Sequence, residues 1–114
     1  KIISALIKEA KGSGAAIPAV PVRSTIKKAN LGLFVKETVD RKNLWEVQTP
    51  QAFRKELLLK AYRRFGRLDV TDDAMLAEKS GAKVKIVKGT YSNIKITTLQ
   101  DLVLAEAISK SKKY

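Results

Sequence analysis

Three short words in the sequence hold side chains whose types and spacing suit phosphate chemistry. Trp45-Glu46-Val47-Gln48-Thr49-Pro50-Gln51 runs from bulky, strand-forming residues into a hydroxyl and a carboxamide. Thr49 and Gln51 would then sit at a strand-to-helix junction, where open α/β sheets bind ligands; the plain alternative is that Thr49 merely caps the helix. Asn93-Ile94-Lys95-Ile96-Thr97 alternates, which puts Lys95 on the face opposite Ile94 and Ile96, beside Asn93 and Thr97. Lys95 is there either a solvated outward residue or the ammonium of a phosphate site. Thr71-Asp72-Asp73-Ala74 reads first as a helix start; its free backbone N–H groups suit an anion, and the two aspartates oppose one. Neighbouring carboxylates on a helix point about 100° apart, so no metal site is expected from this chain's residues.

Composition narrows the chemistry further. The 114 residues include no cysteine and no histidine, which excludes disulfides, thiolate metal sites and the Ser-His and Cys-His nucleophile pairs. Gly12-Ser13-Gly14 lacks the Gly-Lys-Ser/Thr of a P-loop and the spacing of a dinucleotide fingerprint. Chemistry therefore falls to Lys, Arg, Thr, Asp and Glu.

A formal net charge of +12 calls for an anionic partner: nucleic acid, anionic lipid or a phosphorylated small molecule. The basic residues are scattered, with dense clusters only at Arg54–Arg67 and in the tail Lys110–Lys113. Arg54, Lys55, Lys60, Arg63, Arg64 and Arg67 coat the polar side of one expected helix, as a solvated face or as a nucleic-acid groove. The aromatics are few, so no base-stacking platform with interleaved basic residues is visible. No apolar run approaches the roughly 18 residues of a membrane span, no signal peptide is read, and a cytoplasmic protein is expected.

The elements that must position these words follow from periodicity. Ile2, Ile3, Leu6 and Ile7 have helical spacing and begin at the first residue without a capping side chain; truncation inside a longer protein is the expected reason. Gly12-Ser13-Gly14 should end that helix. Ala15–Val22 is an apolar run of strand length, and Pro18 and Pro21 suggest a buried strand ending at an edge or bend. Residues 23–39 read as a hairpin turning at Ala29-Asn30-Leu31-Gly32, with too little apolar surface to be stable alone. Leu44–Thr49 is expected as a strand, with Pro50 opening a helix that buries Phe53, Leu57, Leu58, Ala61, Tyr62 and Phe65 and stops at Gly66. Thr71 is expected to cap a short helix from Asp72 to Ser80, ended by Gly81. Val84–Val87 and Asn93–Thr97 read as strands. Thr98-Leu99-Gln100-Asp101 is a capping box for a last helix bearing Leu99, Leu102, Val103, Ala107 and Ile108. Strands alternating with helices predict an α/β sheet with some parallel strands.

Taken together, GAAIPAVPVRSTIKK, TVDRKNLWEVQTPQAF, VTDDAMLAEKSGAKV and NIKITTLQDLVLAEA resemble the C-terminal half of the 2-C-methyl-D-erythritol 4-phosphate cytidylyltransferase family. The specific part is TVDR-x-x-LW-x-x-QTPQ-x-F followed at distance by NIK-[IV]-T. Pieces such as TPQ are also similar to ribitol-5-phosphate cytidylyltransferases, which stay open as an alternative, as does a small basic nucleic-acid-binding domain.

The resemblance implies a Rossmann-like nucleotidyltransferase fold, with residues 1–114 one partial domain and 23–41 an extended β-arm that embraces a second subunit. It implies transfer of CMP from CTP to 2-C-methyl-D-erythritol 4-phosphate with release of pyrophosphate, in isoprenoid precursor biosynthesis. Thr25, Arg41, Thr49, Thr71 and Lys95 would bind the substrate, with Lys95 and Arg41 also catalytic, and Thr25 and Arg41 serving the partner's site. The family's Gly-rich CTP loop and its D-x-x-R-P segment have no counterpart in these residues. Mg²⁺ would arrive with CTP, its ligands outside this chain, and the chain alone is expected to be inactive. A homodimer is implied; a membrane or nucleic-acid partner is not.

Overall fold

A computed structural model describes residues 1–111; Lys112 and Lys113 of the basic tail, and Tyr114, lie outside the described residues. The chain runs α1 (Ile2–Ser13), β1 (Ala15–Pro21), β2 (Ile26–Ala29), β3 (Val35–Val39), β4 (Trp45–Val47), β5 (Ala52–Phe53), α2 (Lys55–Phe65), α3 (Asp73–Lys79), β6 (Val84–Lys88) and α4 (Leu99–Ser111). The fold is mixed α/β, as expected.

β1 is the centre of the main sheet. It pairs in parallel with β6 along Ala15–Ala19, and antiparallel with β4 through Ala19–Pro21 and with β5 through Ala15–Ala16. Because β6 occupies one edge, β4 and β5 must share the other, separated by the bend at residues 48–51. Both faces of β1 are covered, so it reads as an unbroken apolar run. Its alanines let helices approach closely: Ala16 joins Leu6 and Ala10 of α1 in the core. Alternation turns Ala15, Ile17 and Ala19 to the other face, where Ala74, Leu76 and Ala77 of α3 are buried.

β1 is buried as expected, and it lies at the centre of the sheet despite its prolines. Pro18 lies in the middle of the central strand because the ladder is interrupted there. Gln48 donates its N–H to the Pro18 carbonyl at 2.8 Å, at the point where β4 gives way to the bend. The return bond that Pro18 cannot donate is replaced, since the Gln48 carbonyl accepts from the Gln51 side chain at 3.4 Å. Pro21 lies beyond the end of β6, and its carbonyl takes the Tyr91 hydroxyl at 2.6 Å.

Local rules account for the helix ends. Gly14, at φ 100°, closes α1 with its N–H on the Ala10 carbonyl at 2.8 Å. The capping box of α4 forms as read: Asp101 N–H meets Thr98 Oγ1 at 3.1 Å, and Thr98 N–H meets Asp101 Oδ2 at 3.0 Å. Thr97 adds its own N–H and hydroxyl to that carboxylate, at 3.0 and 2.8 Å.

Several boundaries differ from expectation. The Thr49-Pro50 peptide is cis, and Pro50 does not open a helix. Residues 52–53 instead return to the sheet as β5, so Phe53 is a strand residue and α2 begins at Lys55. The cap of α3 is Asp72, whose carboxylate accepts the Met75 N–H at 2.9 Å, rather than Thr71. Residues 93–97 form no strand. The Asn93 and Ile94 N–H groups fold back onto Thr90 and Ser92, and Thr97 is committed to Asp101, so the segment has no free edge to offer a sheet.

The β2–β3 hairpin forms its own two-stranded sheet. Its tip turns at Leu33, at φ 65°, rather than at Gly32, because the Asn30 side chain takes the Phe34 N–H at 3.1 Å while Leu33 N–H reaches the Asn30 carbonyl at 3.0 Å. Leu31, Leu33, Phe34 and Val35 are all exposed, as expected of a hairpin that cannot bury its own apolar surface.

Candidate functional site

A cleft of about 550 Å³ opens where the β4–β5 bend, the start of α3 and the loop after β6 converge. Gln48, Thr49 and Gln51 come from the bend, Thr71 and Asp72 from the α3 start, and Tyr91, Asn93 and Lys95 from the loop. Thr49, Thr71 and Lys95 line its open side, while Gln48, Gln51, Asp72 and Asn93 form the wall behind them. Exposed groups thus rest on a half-buried layer of three amides and the Asp72 carboxylate, and the Thr71 hydroxyl donates to Met75 Sδ at 3.9 Å.

That layer ties the segments together. Asn93 Nδ2 donates to the Thr49 carbonyl at 2.8 Å and to Gln48 Oε1 at 3.4 Å, linking the Lys95 loop to the bend. Gln48 Nε2 donates to the Thr90 carbonyl at 2.8 Å. Gly89 makes room for this: a Cβ there would stand 2.3 Å from Gln48 Oε1. Gln51 Nε2 donates to Asp72 Oδ2 at 3.0 Å, and Gln51 Oε1 accepts the Ala74 N–H at 3.3 Å, which links the bend to the cap of α3.

The remaining expected residues lie outside the cleft of their own chain. Arg41 stands in a turn in which Asp40 accepts the Lys42 N–H at 3.0 Å and Asn43 adopts φ 66°, a conformation asparagine tolerates well. The Arg41 guanidinium bonds the Arg23 carbonyl. Arg23 in turn lies over the Tyr91 ring, 3.5 Å from its centroid. Thr25 and Arg41 are both exposed at the root of the hairpin, so the structure unites Thr49, Thr71 and Lys95 and leaves Thr25 and Arg41 apart from them. Sequence reasoning does not single out Tyr91. Its only signal is the small polar cluster Gly89-Thr90-Tyr91-Ser92-Asn93, which marks a loop.

Lys95 brings a positive charge to the cleft, whose lining also carries the carboxylates of Glu46 and Asp72. Lys95 has no hydrogen-bond or ion-pair partner among the described residues. Asp72, which also lines the cleft, has both carboxylate oxygens engaged, by Met75 N–H and Gln51 Nε2. Among the described residues, no three Asp, Glu, His or Cys side chains gather as metal ligands would.

Comparison with known proteins gives the site a context. Residues 1–111 match the model of the family described as IspD, 2-C-methyl-D-erythritol 4-phosphate cytidylyltransferase. The enzyme of that name from Geobacillus kaustophilus is 56% identical over 110 residues, covering 94% of this chain and 47% of the relative. The one from Alkaliphilus oremlandii is 51% identical over 114 residues, covering 98% of this chain and 48% of the relative. The crystal structure of the Thermus thermophilus enzyme is similar with a TM-score of 0.82 at 38% identity, over 96% of this chain and 55% of that one. The Francisella tularensis structure is similar with a TM-score of 0.80 at 36% identity, over 93% and 51%. The chain thus spans about half the length of the curated relatives it matches. These findings carry family and coverage, and this coarser statement replaces the expectation of a C-terminal half. Neither the ribitol-phosphate enzyme nor the nucleic-acid-binding domain is favoured by them.

Proposed function

The chain belongs to the 2-C-methyl-D-erythritol 4-phosphate cytidylyltransferase family, and from that premise we propose that its cleft holds the polyol phosphate during cytidylyl transfer from CTP. The observation that carries the proposal is the convergence of Thr49, Thr71 and Lys95, from three separate segments, on one cleft. In the reaction, a phosphate oxygen of 2-C-methyl-D-erythritol 4-phosphate attacks the α-phosphorus of CTP in line. A new P–O–P linkage forms, the bond from the α-phosphorus to the oxygen bridging it to the β-phosphate breaks, and pyrophosphate leaves. Two polyanions must meet, so positioning and charge neutralisation dominate the task.

Lys95 supplies a compact charge to the substrate phosphate, and the hydroxyls of Thr49 and Thr71 donate to its oxygens. Arg41 offers a planar fork suited to a phosphate. Its place on the exposed hairpin root supports a role, with Thr25, in the cleft of a second copy, the 23–41 arm reaching across a homodimer. CTP and the Mg²⁺ it carries would be held by groups outside these residues, and no step here runs through the metal. A cytoplasmic setting belongs to the same proposal; among the described residues, no helix is long and apolar enough to cross a membrane.

The direct test is pyrophosphate release from CTP and 2-C-methyl-D-erythritol 4-phosphate by an enzyme of the family's full length built around this chain. Lys95→Ala and Arg41→Ala should each lower turnover at least about a hundredfold, the scale of losing one preorganised charge contact. Wild-type rates in either variant would overturn that residue's role.

A further inference from the structure

The cleft's hydroxyls sit on segments with no covalent reason to stay together. Thr49 lies on the bend after β4, and Thr71 precedes the cap of α3 by one residue. Between them stands one half-buried side chain. Gln51 Nε2 donates to Asp72 Oδ2 at 3.0 Å and to the Gln48 carbonyl at 3.4 Å, while its Oε1 accepts the Ala74 N–H at 3.3 Å. Both ends of the amide are used, in opposite senses, and only a carboxamide offers a donor and an acceptor in that shape. The Asp72 carboxylate it meets is itself fixed by the Met75 N–H at 2.9 Å.

We propose that Gln51 is a positioning residue whose amide, bridging the bend and the α3 cap, sets the separation of Thr49 and Thr71 and thereby the affinity of the cleft for a polyol phosphate. The affinity clause rests on the reading under Proposed function; the bridging clause stands on the geometry alone. Gln51 does not need to touch the ligand. It converts two loops into one surface, so that ligand binding does not have to order them first.

The donor and acceptor pattern allows a test by exchange. In Gln51→Glu the side chain faces Asp72 as carboxylate against carboxylate, and the bridge is lost. Adding Asp72→Asn restores it with the roles reversed. The carboxamide now at position 72 donates to the carboxylate at position 51, and its oxygen still accepts the Met75 N–H. That carboxylate still accepts the Ala74 N–H, and only the long contact to the Gln48 carbonyl is given up. Net charge is the same in Gln51→Glu/Asp72→Asn as in the wild type, which separates geometry from overall electrostatics.

The experiment is a titration of the 114-residue chain with 2-C-methyl-D-erythritol 4-phosphate, followed by NMR of backbone amides and threonine methyls. The expected result is at least about tenfold weaker binding in Gln51→Glu, and recovery to within about threefold of wild type in the double variant. Unchanged affinity in the single variant, or no recovery in the double, overturns the proposal. If the wild type shows no saturable binding, the polyol-phosphate reading fails instead. The bridge is then judged from the ligand-free spectra: Thr71 methyl and Met75 amide signals that shift in Gln51→Glu and return in the double variant support it, and signals that stay still overturn it. If the single variant does not fold, a folded double variant with wild-type Thr49 and Thr71 signals supports the bridge, and an unfolded one overturns it.

Discussion

Gly89 and Gln48 should show opposite effects of one mutation in two backgrounds. Gly89 has an ordinary backbone, since only Gly14 and Gly81 among the described glycines have positive φ. Alanine there would by itself stabilise by about 0.4–1 kcal/mol, because it restricts the unfolded chain. In the wild type, however, the new Cβ stands 2.3 Å from Gln48 Oε1 and must displace it. The displaced amide loses its 2.8 Å bond to the Thr90 carbonyl and its 3.4 Å contact with Asn93 Nδ2. At roughly 0.5–1.5 kcal/mol for a well-formed hydrogen bond, and less for the long one, that costs about 1.5–2 kcal/mol.

The displacement outweighs the entropic gain, so Gly89→Ala should destabilise by about 1 kcal/mol, which at this chain length lowers Tm by about 4 °C. In a Gln48→Ala background the obstacle is gone. The next atom, the Ala19 nitrogen, lies at 3.6 Å, an ordinary contact. The same Gly89→Ala change should then stabilise by up to about 1 kcal/mol. Urea unfolding of the four proteins gives the coupling energy, expected at about 1.5–2 kcal/mol. Additive effects, or destabilisation of equal size in both backgrounds, would refute the account of Gly89 as the space that lets Gln48 clamp the bend.

Other expectations follow from single features. Gly14→Ala combines a φ of 100° with a Cβ 2.8 Å from Leu57 Cδ1, and should cost about 2 kcal/mol or more in thermal or urea unfolding. Gly81→Ala, at φ 90° with nothing within 4 Å, should cost only the backbone strain, about 1 kcal/mol. Backbone and side-chain hydrogen bonds from Thr97, then those from Thr98, hold the Asp101 carboxyl below its usual range. The cap therefore contributes fully above the unfolded-state value of about 3.9 and is lost as pH falls through the lower folded value. Amide exchange in the first turn of α4 should accelerate on acidification in the wild type and change less in Asp101→Asn; equal acceleration would discount the cap. The Tyr62 hydroxyl donates to Asp73 at 2.5 Å, and that hydrogen bond, followed by the Asp73 charge, raises its pKa. The α2–α3 contact it makes is therefore present below the ordinary value of about 10 and lost as pH rises through the raised one. Tyr62→Phe should remove that alkaline step from the stability profile.

What the sequence determined by itself was local or compositional. Gly14 and Gly81 mark helix ends, because the positive φ of the closing turn is written in the residue that meets it. Thr98-Leu99-Gln100-Asp101 announces its own cap across three residues. The absence of Cys and His limits the chemistry to Lys, Arg, Thr and acids, whatever the fold. The linear order of four words was enough to indicate the family.

Tertiary structure decided what depended on partners distant in sequence. Pro18 is awkward in a central strand, yet it lies mid-sheet because β4 and β5 leave a gap opposite it, and nothing near Pro18 encodes that gap. Residues 93–97 alternate like a strand, but Asn93 spends its amide on Thr49, 44 residues away in sequence, and Thr97 on Asp101. Thr71 has the composition of a cap and lost the place to Asp72, whose second carboxylate oxygen Gln51 reaches from the bend. Lys95 and Thr49 become one site only through Asn93, Gln48 and the space above Gly89. Each of these outcomes is set by a hydrogen bond between segments that a local pattern cannot see, which is why the chemistry could be read residue by residue while the cleft could not.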